Sequence, residues 1–444
     1  MASFAITNAT TAQQGLLPGE VGAVLLNGAI IVSGIGVANA VGMDDATLFV
    51  SGLIHAENGA SIWGTGNIRL TVAAAGMVTS SVVQAGAPGA TTTITNAGLI
   101  QGNDGINHTD RGAFQLTNTG TINGTSFNAM FVSSSSTIRV INDGLISSAG
   151  SGLFLGGTGG VRIVNTGTIA ADLAVFHTGS GAMNVTNSGT IVGGVTMGGG
   201  NDRFDGRGGD QTSARIDGGA GNDTLMGSEA SDALSGGIGN DRLRGYGGND
   251  ELYGGDGDDN IRGNDGDDYV EAGAGNDDFG GGRGYDYVLG GDGNDNLRGG
   301  DDGDEIYGEA GNDSLSGGTG NDLLDGGDGN DTIAGGDDDD LIYGGAGADI
   351  ITGGKGNDTM DGGPQADRFV FARGHGHDEI VGFQNNTDKL DLSAFGFANA
   401  GAVRALAAMR PDGLFIDLSS VGGDSILISS GLRLGQLDAA DMVL

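Results

Sequence analysis

Seventeen aspartates stand nine residues apart without a slip: Asp223, Asp232, Asp241, Asp250, Asp259, Asp268, Asp277, Asp286, Asp295, Asp304, Asp313, Asp322, Asp331, Asp340, Asp349, Asp358 and Asp367. One more, Asp202, lies upstream in GGGNDRF, beyond the degenerate stretch GRGGDQTSARI. Each unit reads GGxGxDxUx, with an apolar residue two places after the aspartate, from Leu225 and Leu234 to Met360 and Phe369. The first position is glycine in every unit but one, where Ala272 stands. Carboxylates this dense repel one another, and glycine raises the entropic cost of ordering the chain. One unit buries a single aliphatic side chain, worth about 2–3 kcal/mol. Ordering its nine residues costs about 1–2 kcal/mol each, so the repeat does not fold on its own side chains.

A hard divalent cation reverses that balance. Calcium takes six to eight oxygen ligands in relaxed geometry, from carboxylates and backbone carbonyls together. A glycine-rich turn bares its carbonyls, one aspartate per turn supplies charge, and two stacked turns complete a cage. Magnesium demands tighter geometry and keeps its waters. Zinc would want cysteine and histidine, and the chain has no cysteine and five histidines. The metal sites are therefore expected to be calcium sites that hold the fold and catalyse nothing.

The cage needs elements to carry it. After each turn, the x-U-x triplet is a short strand with its middle residue inward. Upstream a second repeat appears: ITNAGLI (94–100), LTNTGTI (116–122), VINDGLI (140–146), IVNTGTI (163–169) and VTNSGTI (185–191), with weaker copies at 24–30, 48–54 and 72–78. Short β-branched runs at intervals of 22 to 24 residues predict the coils of a parallel β-solenoid. Ile100, Ile122, Ile146, Ile169 and Ile191 would stack inside it. Asn96, Asn118, Asn142, Asn165 and Asn187 would stack at a turn, since asparagine tolerates left-handed backbone and bonds its own kind in register.

The unbroken run over 218–370 resembles the calcium-binding β-roll of the RTX (repeats-in-toxin) family. That resemblance implies units alternating between the two sides of a roll, so that each ion lies between units eighteen apart. It makes the aspartates named above, Asp202 included, the metal ligands, with turn carbonyls completing the sphere. About 15 calcium ions follow, whose charge matches the local excess of carboxylates. Ser228-Glu229-Ala230, Asp302, Asp338 and Pro364-Gln365 depart from the pattern and mark weak sites. The stretch DRFVF…DEIVGF…DKLDLSAF resembles the C-terminal cap of RTX exoproteins, the serralysin proteases among them. Asp441-Met442-Val443-Leu444, an acid before three apolar residues, is similar to the uncleaved signal read by that family's type I exporters. His375-Gly376-His377-Asp378 reads as a solvated turn and not a metal site. AGAVRALAAMR (400–410) predicts a short helix, and 413–418 with 424–429 a hairpin.

The fold class expected is thus all-β: an N-terminal cap (1–23), a parallel β-helix of about eight coils (24–197) stacked on a calcium-binding parallel β-roll (198–370), and a small β-rich C-terminal cap (371–444). Charge draws the same boundaries. Of the formal net charge of −38, the segment 198–370 carries −30 and the flanking segments −4 each. Such acidity disfavours nucleic acid and anionic membranes as partners. No apolar run reaches the ~18 residues of a transmembrane helix, and no basic residue precedes Arg69, so a cleaved secretory signal is not expected. The expected location is extracellular or at the cell surface.

There is no HExxH and no G-x-S-x-G. A β-helix joined to RTX repeats is also the layout of alginate C5-epimerases, which need a base and a cation near a sugar acid. No tyrosine precedes Tyr246 and no lysine precedes Lys355. The solenoid offers Arg69, Arg111, Arg139, Arg162, His55, His108 and His177; Arg69, Arg139 and Arg162 read as strand-face residues. The function expected is that of a secreted, structural or adhesive calcium-binding protein, surface-layer or adhesin-like. It would self-associate or bind cell-surface polysaccharide. A polysaccharide-active enzyme of the epimerase or lyase kind is the alternative.

Overall fold

The computed structural model describes six strands at the start, Gly22–Leu26, Ala29–Ser33, Val41–Gly42, Ala46–Val50, Leu53–Ile54 and Ile62–Trp63. It then describes residues 67–444 except 80–81, 85–88, 110–111, 212–213 and 423. Nearly all of the expected N-terminal cap, with His55 and Arg111, lies outside these residues. The chain forms two compact units, residues 1–237 and 238–444. The described residues are all-β but for one five-residue helix, Ala400–Arg404, and two 3-10 turns.

The first unit is a parallel solenoid with three strands to a coil. Ile68–Val72, Thr91–Asn96, Ala113–Asn118, Ile138–Asn142, Val161–Asn165 and Met183–Asn187 pair in succession, each parallel to the last. A second column runs through Leu99–Gly102, Thr121–Gly124 and Leu145–Ser148, and a third through Ile106–Thr109, Asn128–Ser133 and Ser151–Gly156. Every one of these pairings is parallel, as the predicted solenoid requires. Among the described strands of this unit Gly22–Leu26 alone pairs antiparallel, with Ala29–Ser33, so the copy at 24–30 spans a hairpin and not a coil.

Alternation along each strand buries one face. Ile100, Ile122, Ile146, Ile169 and Ile191 stack inside, none more than 1% exposed. The asparagines form the other expected column. The Asn96 side-chain amide donates to Asn118 Oδ1 at 2.8 Å, and Asn118, Asn142 and Asn165 each donate to the next at 2.7 Å. Asn187 donates to Gln211 Oε1 at 3.2 Å, which ends the column with another amide.

The second unit is a two-sheet roll in which strands eighteen residues apart pair in parallel. Arg242–Gly247, Asn260–Asp265, Asp278–Arg283 and Asn296–Asp301 begin one sheet. Glu251–Asp256, Tyr269–Ala274, Tyr287–Asp292 and Glu305–Ala310 begin the other. The apolar residue of each nonapeptide points inward, and from Leu243 to Phe369 none is more than 2% exposed. The roll runs on into the C-terminal region: Arg368–Val370 pairs with Lys389–Asp391, and that strand with Met442–Val443. The hairpin is present, Leu414–Asp417 against Ser425–Ile428. The helix is shorter than predicted. It stops at Arg404, and Ala407–Met409 joins the hairpin as a third strand, its pairing with 414–416 outweighing the helix propensity of an alanine-rich run.

Candidate metal centres

Units eighteen apart place their aspartates directly above one another, and one bond repeats along both columns. The backbone N–H of each aspartate donates to Oδ1 of the aspartate one coil on: Asp241 to Asp259 at 2.7 Å, Asp250 to Asp268 at 2.8 Å, Asp277 to Asp295 at 2.8 Å and Asp331 to Asp349 at 2.8 Å. Asp202 belongs to the same pattern, accepting from the Met183 N–H and donating its own to Asp223 Oδ1, both at 2.7 Å. Every aspartate of the predicted set is at most 5% exposed.

The second oxygen differs. In all thirteen aspartates from Asp259 to Asp367, Oδ2 is buried and accepts no hydrogen bond. A buried carboxylate oxygen in that state costs several kcal/mol unless a cation meets it. Burial raises these carboxyls, and the carboxylates of neighbouring coils raise several of them further. Asp286 and Asp340 are pushed up to about 8, and Asp259, Asp304, Asp313 and Asp367 to about 7.

The glycine opening each unit explains what faces that oxygen. A Cβ built on Gly281 would sit 2.0 Å from Asp286 Oδ2 and 2.5 Å from the Gly299 carbonyl oxygen. On Gly335 it would sit 2.1 Å from Asp340 Oδ2 and 2.5 Å from the Gly353 carbonyl. Carboxylate and carbonyl oxygens of successive coils therefore converge at these glycines, and Ala272 holds the same position in the unit of Asp277. Among the described residues no three His, Cys, Asp or Glu side chains gather at one point. The donor set is instead carboxylate plus carbonyl, which suits calcium and not a nitrogen- or sulfur-seeking metal.

One departure from the pattern brings protein donors to the carboxylate. Ser228 gives both its N–H (2.6 Å) and its hydroxyl (3.0 Å) to Asp232 Oδ2, in the turn where Ser-Glu-Ala replaces glycine. Asp302 and Asp338 hold the fourth-glycine position at φ of 76° and 82°, and Gln365 beside Pro364 sits at 82°. The columns also extend past Asp367, which the nine-residue spacing misses. Asp358 donates to Asp378, twenty residues on, and Asp367 to Asp388, twenty-one on, each at 3.2 Å. At these ends Asp378 Oδ2 meets His375 Nδ1 at 2.5 Å, and Asp388 Oδ2 accepts the Gln384 N–H at 2.6 Å. The HGHD stretch is a solvated turn only in part: His377 is exposed, but His375 and Asp378 are each 2% exposed, with the His375 ring against Phe371 and Phe395.

The solenoid shows no comparable constellation among its described residues. Arg69, Arg139 and Arg162 are exposed, and Arg139 pairs with Arg162 across neighbouring strands, an adjacency hidden by 23-residue spacing. His108 and His177 are buried at 1% exposure, so neither sits on a solvated face.

The family model for the RTX calcium-binding nonapeptide repeat matches eight overlapping segments between residues 217 and 378. This part of the chain is a run of RTX calcium-binding repeats. Among solved structures, the solution structure of the AlgE6R3 subunit from the Azotobacter vinelandii mannuronan C5-epimerase is 27% identical over 32% of this chain and 78% of that one, with a TM-score of 0.24. No curated protein matches.

Proposed function

We propose that the protein is secreted, folds on calcium, and serves as a structural or adhesive component of a cell surface or extracellular matrix. In this reading the β-helix of 24–197 is the displayed part, the roll of 198–370 the calcium-dependent part, and 371–444 a cap bearing a type I export signal. The observation that carries it is the column of buried Oδ2 atoms from Asp259 to Asp367 that accept no hydrogen bond, with carbonyl oxygens of the next coil converging beside those of Asp286 and Asp340. Asp202 and the aspartates from Asp223 to Asp367 would ligate about 15 ions, with Asp232 contributing least because Ser228 already holds it. Bound calcium would neutralise the stacked carboxylates and tie each coil to the next. A chain kept unfolded where calcium is scarce suits export before folding. Among the described residues no helix is long and apolar enough to cross a membrane.

Calorimetric titration of metal-free protein with calcium tests the first part, with circular dichroism recorded alongside. A gain of β-structure with many ions bound, not reproduced by magnesium, is expected; full structure in excess chelator would reject the reading. Electron microscopy of calcium-loaded protein tests the second part. Ordered sheets or filaments support a surface role, whereas dispersed particles that turn over an acidic polysaccharide would replace it with an enzyme.

A further inference from the structure

The two outer faces of the roll carry opposite charge over the same four coils. Residues one and three places after each aspartate point outward. On one sheet these include Arg242, Arg244, Arg262 and Arg298, with a single acid, Asp278, which ion-pairs with Arg262 and with Arg298 (3.0 Å). On the other sheet they include Glu251, Glu271 and Glu305, and no Lys or Arg stands on either outward column from 251 to 361. The same acidic face holds a row of tyrosines. Tyr253, Tyr269, Tyr287 and Tyr307 follow one another with ring centroids 6.0, 5.7 and 5.6 Å apart, each half-exposed.

The geometry points to the occupant of this acidic, aromatic face: the arginine face of a second copy of the same chain. The charges balance at +3 against −3 over these coils. Guanidinium groups stack on tyrosine rings and bond carboxylates, so both features of one face are answered by the single residue type dominating the other. The order matches as well. Counting from Arg242, arginine stands in the first, second and fourth coils, and the third has Asp278 and Gly280. Glutamate stands in the first, second and fourth coils of the opposite sheet, and the third has Tyr287 and Leu289. Both faces repeat at about 4.8 Å per strand, so two molecules side by side and pointing the same way align all three charged rows. Opposite orientations align two.

Such a contact joins different patches by translation, so it does not close and it propagates as a ribbon. Strand length and spacing give a patch of about 400 Å² per partner, below the ~800 Å² of a standard interface. Pairing is therefore weak between two molecules and strengthens along an array. This inference rests on the structural role proposed above and supplies a contact for it.

Sedimentation velocity on the full chain in excess calcium, from micromolar to millimolar protein, tests it. The basic-face variant carries Arg242→Glu, Arg244→Glu and Arg298→Glu. The acidic-face variant carries Glu251→Lys, Glu271→Lys and Glu305→Lys. Circular dichroism in calcium confirms that each is folded. Each alone should associate at least tenfold more weakly than the wild type. An equimolar mixture of the two, or one chain carrying all six changes, should recover association. A wild type that assembles while the variants assemble equally well overturns this contact and leaves the proposed function standing. A wild type that stays monomeric throughout overturns both. A monomer retained on a polysaccharide gel, and released by Tyr269→Ala with Tyr287→Ala, overturns the contact in favour of a glycan platform.

Discussion

Two columns of buried polar side chains run through this chain, and they solve the same problem in different ways. In the solenoid the column is asparagine. Each amide gives a proton to the next oxygen and presents its own oxygen to the amide before, so the run from Asn96 to Asn187 satisfies itself. In the roll the column is aspartate, which differs by one amide group and accepts only. The backbone can serve one carboxylate oxygen, and the other is left to a cation. On the calcium-dependent folding proposed above, one architecture is autonomous or metal-dependent according to whether an amide or an acid lines the stack.

Removing calcium breaks this comparison most strongly. In chelator, hydrogen exchange over 259–367 should reach the unfolded limit while 91–187 stays protected; equal protection of both would remove the distinction. Next in size is the exchange of one ladder residue for the other. Asn142→Asp places an uncompensated charge beside Asn118 and Asn165 and should cost about 3–5 kcal/mol, read as a lower Tm of the solenoid. The converse, Asp295→Asn, keeps the acceptor for the Asp277 N–H but loses a charge shared by adjoining coils. Calorimetry should show one or two fewer ions bound, with full occupancy weighing against shared ligation. A smaller gain is expected from Glu309→Gly. Glu309 sits at φ 71°, where glycine stands in most units, and the change should stabilise calcium-loaded protein by about 1 kcal/mol. Smallest is a pH effect confined to the solenoid. Burial lowers the pKa of His177 below its ordinary 6.5, although the Nδ1–H bond to the Met197 carbonyl opposes this. A depressed histidine favours the fold fully above the unfolded pKa and less as pH falls through it. Chelator-treated protein should therefore melt at a lower temperature at pH 5 than at pH 7.5, and His177→Gln should narrow that gap.

Much of this was legible because both repeats have short periods with one chemistry-bearing residue apiece. The nine-residue spacing located every aspartate from Asp223 to Asp367, and the Asn-x-Gly pattern located the amide column. Reading failed where the period changed. Asp378 and Asp388 continue the columns at steps of twenty and twenty-one, which no nonapeptide register can find. His375 looked solvated because a histidine between glycines has no apolar neighbours in sequence; its neighbours Phe371 and Phe395 come from the fold. The opposed charge of the two faces was present in the sequence and emerges once odd and even units are read separately. Read as a single series, the arginines and glutamates cancel.

The histidine and backbone donors on Asp378 and Asp388 give the columns a direction. These two carboxylates have both oxygens satisfied by the chain itself, so the coil they close can become ordered before any ion arrives. Once ordered, it would offer Asp358 and Asp367 a fixed wall, and calcium held by those carboxylates would let each coil do the same for its predecessor. On the calcium-dependent folding proposed above, the roll would close like a zipper with its slider at the C-terminal end, toward lower residue numbers. Calcium titration followed by pulsed hydrogen exchange should show protection appearing first near 358–391 and spreading to lower residue numbers; simultaneous protection along the roll would remove the slider.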